Sequence, residues 1–233
     1  ALVSYTLFPI LTILLVSTEG VIVSNTSFAA FDGRTSTLAD YLAFLPKNAI
    51  FLFFVFLAYI LFLSEEYQSR YVKSIYPFFQ HKEKLIFARI MTFAAIWCLY
   101  ILIGVLWSSF WLCAIAGRAG TLILPDYLLF LLAQLLCAEM IALILSLLIH
   151  IIGGKVLPIL FMMFYSFGAI FLLMSAASTY FQIDCSRYLP YYLSGTLPLP
   201  AESGPYLQLF GIIAPLTILA FCADLLGLRK KDL

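Results

Sequence analysis

The sequence predicts an all-α, polytopic membrane protein with six transmembrane helices and both ends in the cytoplasm. Three observations carry that reading. Hydrophobic residues fill 64% of the 233 positions and charged residues only 11%, against about 45–50% and about 25% in soluble domains. Mean hydropathy is +1.06. The apolar residues gather into six runs of the length a spanning helix needs, roughly 20 residues. A water-soluble enzyme domain could not bury so much apolar side chain. A net charge of +1 leaves no basic field for nucleic acid, and the same composition excludes disorder. A β-barrel would need many short alternating strands, whereas these runs are long and continuous.

The first run covers residues 1–23 and holds Pro9 and Glu19. It lacks a basic leader and exceeds a signal-peptide core in length, so it reads as a retained span. Ala1 is not an initiator Met, which leaves room for an upstream segment. The second span covers 47–64, and 49–63 within it holds no charged or amide residue. The third covers 89–116 and is free of charge from Ile90 onward. The fourth, 126–149, is interrupted only by Gln134 and Glu139. The fifth covers 156–181. The sixth covers 207–228, with Pro215 in its middle, where it predicts a kink. Four of the five cysteines (Cys98, Cys113, Cys137 and Cys222) sit inside these runs, which argues for reduced thiols rather than a disulfide framework.

Basic residues orient the spans. Segments 65–89, 150–155 and 229–233 carry nine Lys and Arg, and the opposite set carries four: Arg34, Lys47, Arg118 and Arg187. The richer set belongs in the cytoplasm.

Two connectors are more than short turns. The inner segment 65–88 carries Glu65, Glu66, Arg70, Lys73, Lys82, Glu83 and Lys84 among the aromatics Tyr67, Tyr71, Tyr76, Phe78 and Phe79. Its apolar residues recur at near-helical spacing, and Pro77 divides it. Such a segment suits three roles: a solvated loop, a helix in the headgroup layer, or a helix docked in a groove on a soluble partner. The outer segment 180–206 holds Pro190, Pro198, Pro200 and Pro205 and the aromatic stretch 187–193. It suits an interfacial aromatic belt or a short re-entrant helix.

Catalytic and nucleotide signatures are missing. Gly153-Gly154-Lys155 is followed by Val156 and lacks the earlier glycine of a P-loop. His81 and His150 are the only histidines, and neither has metal-ligand spacing to Cys or His. No G-x-S-x-G occurs. The chain therefore reads as a non-enzyme with no cofactor or metal of its own.

Within the spans, Glu139 is the mid-membrane carboxylate. Helical spacing puts Glu139, Ala142, Ser146 and His150 on one stripe, which predicts a face turned toward the bundle or a partner subunit. Two roles remain open for Glu139: a transport path or gate, or a buried hydrogen bond to a neighbouring helix. Gly104 and Ser108 form a small-xxx-small pair for close helix approach or a dimer face. Glu19 and Asp224 lie near span ends and are expected to reach the interface.

The run Ser64-Glu65-Glu66-Tyr67-Gln68-Ser69-Arg70-Tyr71-Val72-Lys73 resembles the E-[EF]-x-x-x-G-T-[IV]-[KR] signature that follows the second helix of ABC-2 type exporter permeases. Glu65 and Glu66 match the acidic start, Val72 the aliphatic position and Lys73 the basic one. Arg70-Tyr71 replace the usual Gly-Thr. Pro77, the basic cluster up to Arg89, and the tail Arg229-Lys230-Lys231-Asp232-Leu233 are similar to the family's continuation and ending. The resemblance implies a permease subunit in a bacterial plasma membrane. It would pair with a second permease as homo- or heterodimer and bind a separate ATPase subunit that holds ATP and Mg. Glu65, Glu66, Arg70, Tyr71, Lys73, Tyr76 and Phe78 would then couple to the ATPase. Its small size looks most like permeases that expel amphipathic or antimicrobial peptides. Two alternatives stand beside it: a proton-coupled secondary transporter using Glu139, and a peptide-binding immunity protein.

Overall fold

The structure is a computed structural model and describes residues 21–23, 30–32, 42–68, 82–110, 123–152, 154–166, 168–182, 188–199 and 203–230. Two short strands, β1 (Val21–Val23) and β2 (Ala30–Asp32), pair antiparallel with Ile22 opposite Phe31. Everything else regular among the described residues is helical: α1 (Ala49–Gln68), α2 (Lys82–Ser109), α3 (Leu124–Ile152), α4 (Val156–Ser166), α5 (Ala169–Phe181), α6 (Pro190–Thr196) and α7 (Ser203–Lys230), with a 3-10 turn at Leu45–Lys47.

Local chemistry sets several boundaries. Asn48 caps α1, its side-chain oxygen accepting from the Phe51 amide at 3.2 Å, the usual service of an N-cap amide side chain. Neither Gly nor Pro interrupts the chain between Ala49 and Gln68. Pro190 opens α6 from an extended Leu189, where a missing N–H is harmless.

Among the described residues, three helices are long and apolar enough to cross a membrane: Glu83–Trp107, Leu124–Ile152 and Ser203–Gly227. The pair Val156–Ser166 and Ala169–Ser178 makes a fourth if its two bent pieces count as one span. Two expectations are corrected. The predicted first span does not stay helical to its end, because Val21–Val23 form a strand; β-branched residues after Gly20 favour that conformation. Residues 1–20 of that span lie outside the described residues. The predicted fifth span is not one helix: α4 and α5 meet at 67°, because Gly168 takes φ 73, a left-handed conformation that ends a helix.

Helix α3 is the centre. It packs against α1, α2, α4, α6 and α7. Of its most apolar window 61% is buried, against 22% for α2 and 17% for α7, so those two form the periphery. Their outward residues include Leu99, Leu102, Leu106, Ile218 and Leu219, all exposed, the surface lipid requires. Gly227 lets α7 lie close on α3: a Cβ there would sit 3.2 Å from Leu147 Cδ1. Between α1 and α2, Phe56 stacks on Phe93 at 5.2 Å and Tyr59 meets the same ring edge-on at 5.1 Å.

Candidate functional site

Four helix ends converge at the pole of the bundle that the basic residues assign to the cytoplasm. Glu66 closes α1, Arg89 lies two turns into α2, His150 is in the last turn of α3 and Asp224 is in the last third of α7. Their side chains join hand to hand. Arg89 grips Glu66 with both arms, Nη2 to Oε1 at 3.0 Å and Nε to Oε2 at 3.3 Å. Arg89 Nη1 lies 2.9 Å from His150 Nε2. His150 Nδ1 lies 2.5 Å from Asp224 Oδ1, and the Ser146 hydroxyl donates to Asp224 Oδ2 at 2.9 Å. Arg89, His150, Ser146 and Asp224 are between 0% and 2% exposed. A groove of about 360 Å³, between Phe62 and Glu65 of α1 and Leu85, Ala88 and Thr92 of α2, opens onto the Glu66–Arg89 pair.

The donors decide the protonation pattern. A guanidinium only donates, so His150 Nε2 must accept. The imidazole is therefore neutral, with its proton on Nδ1 donating to Asp224. Asp224 accepts from two groups, and Arg89 is the cation between two carboxylates. Such a chain is strong only while complete, because each link removed strands a buried charge.

Two turns from Ser146 on the same α3 stripe lies Glu139. It is 7% exposed, and neither carboxylate oxygen has a hydrogen-bond partner among the described residues. The buried bond expected of Glu139 is made instead by Ser146 and His150, lower on the stripe. The stripe itself is buried as predicted, with Ala142 at 1%. Tyr59 of α1, also buried, packs edge-on against Phe93 of α2.

The opposite pole is tied to α6. Lys47 Nζ donates to the carbonyls of Gly195 at 3.1 Å and Leu197 at 2.8 Å and stands over the Phe130 ring. Tyr206 donates to the Pro198 carbonyl at 3.0 Å. Gln134 Nε2 donates to the Ser194 carbonyl at 2.7 Å. Gln134 lies ten residues into α3, about 15 Å along its axis, so α6 dips into the bundle rather than resting on its rim.

Of the proposed coupling residues, Glu65 is exposed and Glu66 is held by Arg89; Arg70, Tyr71, Lys73, Tyr76 and Phe78 lie outside the described residues. Gly104 is buried on α2, and the Ser108 side chain lies outside the described residues. Two expectations fail. Asp224 does not reach the interface but is fully buried. The third span does not start at Arg89, because α2 begins at Lys82 and carries Arg89 into the bundle. The signal for both was available: an ionisable residue inside an apolar run needs a named partner, and alternating spans put 66, 89, 150 and 224 at one pole. Among the described residues no three His, Cys, Asp or Glu side chains gather as metal ligands. Compared with known protein families, characterised proteins and solved structures, the chain matches none.

Proposed function

We propose that the chain is the six-span permease subunit of an ATP-driven exporter of the ABC-2 type in a bacterial plasma membrane. It works as a homo- or heterodimer with a second permease, and a separate ATPase subunit supplies ATP and Mg. The cargo is a hydrophobic or amphipathic molecule such as a peptide. One observation carries this reading: Glu66 and Arg89, which flank the connector at 69–81, are bonded to each other and through His150 to Asp224. A force on that connector cannot move α1 or α2 alone. It is passed to α3 and α7 through buried, charge-assisted bonds, as a coupling lever requires. The gathering of four helix ends at one pole also supports alternating spans with both ends inside.

Pull-down of the chain from native membranes tests the reading. An ATPase subunit is expected with it, and Lys73→Glu is expected to separate ATP hydrolysis from export. Recovery of active transport with no ATPase present overturns it.

A second reading, a proton-coupled transporter, is favoured by Glu139, a buried carboxylate with neither oxygen partnered among the described residues. It requires gradient-driven transport that stops in Glu139→Gln.

A further inference from the structure

Helices α4 and α5 are two pieces of one apolar run. The 11 residues of α4 put the break about 16 Å from Val156, half-way through a hydrocarbon layer of about 30 Å. Backbone that leaves helical form at that depth is tolerated where protein buries it or where it lines a polar site. The residues on either side of the break are buried, Ser166 at 0% exposure and Gly168 likewise. Helix α5 has 13 residues, and Gly168 precedes it with no side chain capping its first turn. First-turn amides have no carbonyl within their own helix and carry the positive end of its dipole.

Two hydroxyls attend this same helix end. Ser166 stands two residues before Gly168. Tyr191 reaches in from α6, its Oη only 2.6 Å from where a Cβ on Gly168 would be. Ser166 is 0% and Tyr191 6% exposed, and neither hydroxyl has a hydrogen-bond partner among the described residues. Buried hydroxyls are nearly always bonded, and an orphan is costly. Two hydroxyls without a partner among the described residues, beside a helix N-terminus that no side chain caps, complement one external acceptor. Because the dipole is positive there, the fitting acceptor carries a negative charge.

We infer that the α4–α5 break, with Ser166 and Tyr191, binds the carboxylate of an apolar or amphipathic molecule at mid-membrane depth. The inference rests on the exporter reading only in taking that molecule for the cargo. Gly168 serves the site by letting Tyr191 approach the backbone, and the α6 contacts of Lys47 and Gln134 hold Tyr191 in place.

The test uses the full chain in lipid nanodiscs and two probes, N-acetyl-Leu-Leu-Leu with a free C-terminal carboxylate and the same peptide as its C-terminal amide. The acid is expected to bind about tenfold more tightly than the amide, the difference one charge-assisted site supplies. Tyr191→Phe and Ser166→Ala are each expected to weaken the acid several-fold and leave the amide unchanged. Tyr191→Phe removes only an unpartnered hydroxyl, so its melting temperature is expected to hold, which keeps the comparison valid. Equal binding of acid and amide by the wild type overturns the inference. So does unchanged acid binding in a normally folded Tyr191→Phe. These outcomes do not involve an ATPase: acid preference without a co-purifying ATPase removes the exporter reading and keeps the site, and the reverse result removes the site alone.

Discussion

Arg89 places Nη1 2.9 Å from His150 Nε2 across 61 residues of chain, and this contact allows only one protonation state. An imidazolium would turn the acceptor into a donor and set two cations face to face. The neutral imidazole instead passes its single proton's bond to Asp224, so α2 and α7 are joined through α3.

Arg89 is the link whose loss harms most. Arg89→Ala removes the two-armed partner of Glu66 and the donor to His150 Nε2 and is expected to destabilise by about 3–5 kcal/mol. Arg89→Lys restores the charge without the planar fork and is expected to recover only part of that. Denaturation in detergent measures both; a loss well under 1 kcal/mol for Arg89→Ala would contradict the continuous chain.

His150 and Asp224 should behave as one unit. A double-mutant cycle with His150→Ala and Asp224→Ala is expected to give a coupling energy of about 1–3 kcal/mol, where separated residues would be additive. Asp224→Asn keeps an acceptor for His150 and should cost less than Asp224→Ala. Nitrogen NMR of the labelled imidazole is expected to show a neutral ring protonated at Nδ1.

Glu139 separates the transport readings. With no bond to lose among the described residues, Glu139→Gln is expected to leave stability within about 0.5 kcal/mol of wild type or to raise it. Export driven by ATP is expected to persist in proteoliposomes. Its abolition, together with loss of uptake driven by a proton gradient, would favour the secondary transporter.

Gly168 is fixed by geometry. Gly168→Ala must adopt φ near 73 and place a Cβ 2.6 Å from Tyr191 Oη, an expected loss of about 1–3 kcal/mol in thermal unfolding. Adding Tyr191→Phe should relieve only part, because the ring carbon Cζ would remain 3.0 Å from that Cβ.

Lys47 anchors the opposite pole. Lys47→Met removes two donors to α6 carbonyls and is expected to raise amide exchange over residues 190–197 about tenfold, equivalent to about 1.4 kcal/mol. Exchange at α3 near His150 is expected not to change.

The membrane character, the helical class and the buried face of α3 were all legible in the sequence, because each follows from length, composition or a 3.6-residue period that acts locally. The run at 126–149 announced α3 within three residues at either end, and Glu139, Ala142, Ser146 and His150 were already one stripe. Hydropathy could not show that the run at 156–181 breaks, since Gly168 differs from other glycines only in the φ its neighbours impose. Nor could it pair Arg89 with Glu66 and His150, or bury Asp224. Those bonds join residues 23, 61 and 74 positions apart, and a charge near the end of an apolar run is equally consistent with water, headgroup or a partner. Helix packing alone brought the four ends to one pole, where leaving any of these charges unpaired would have been too costly.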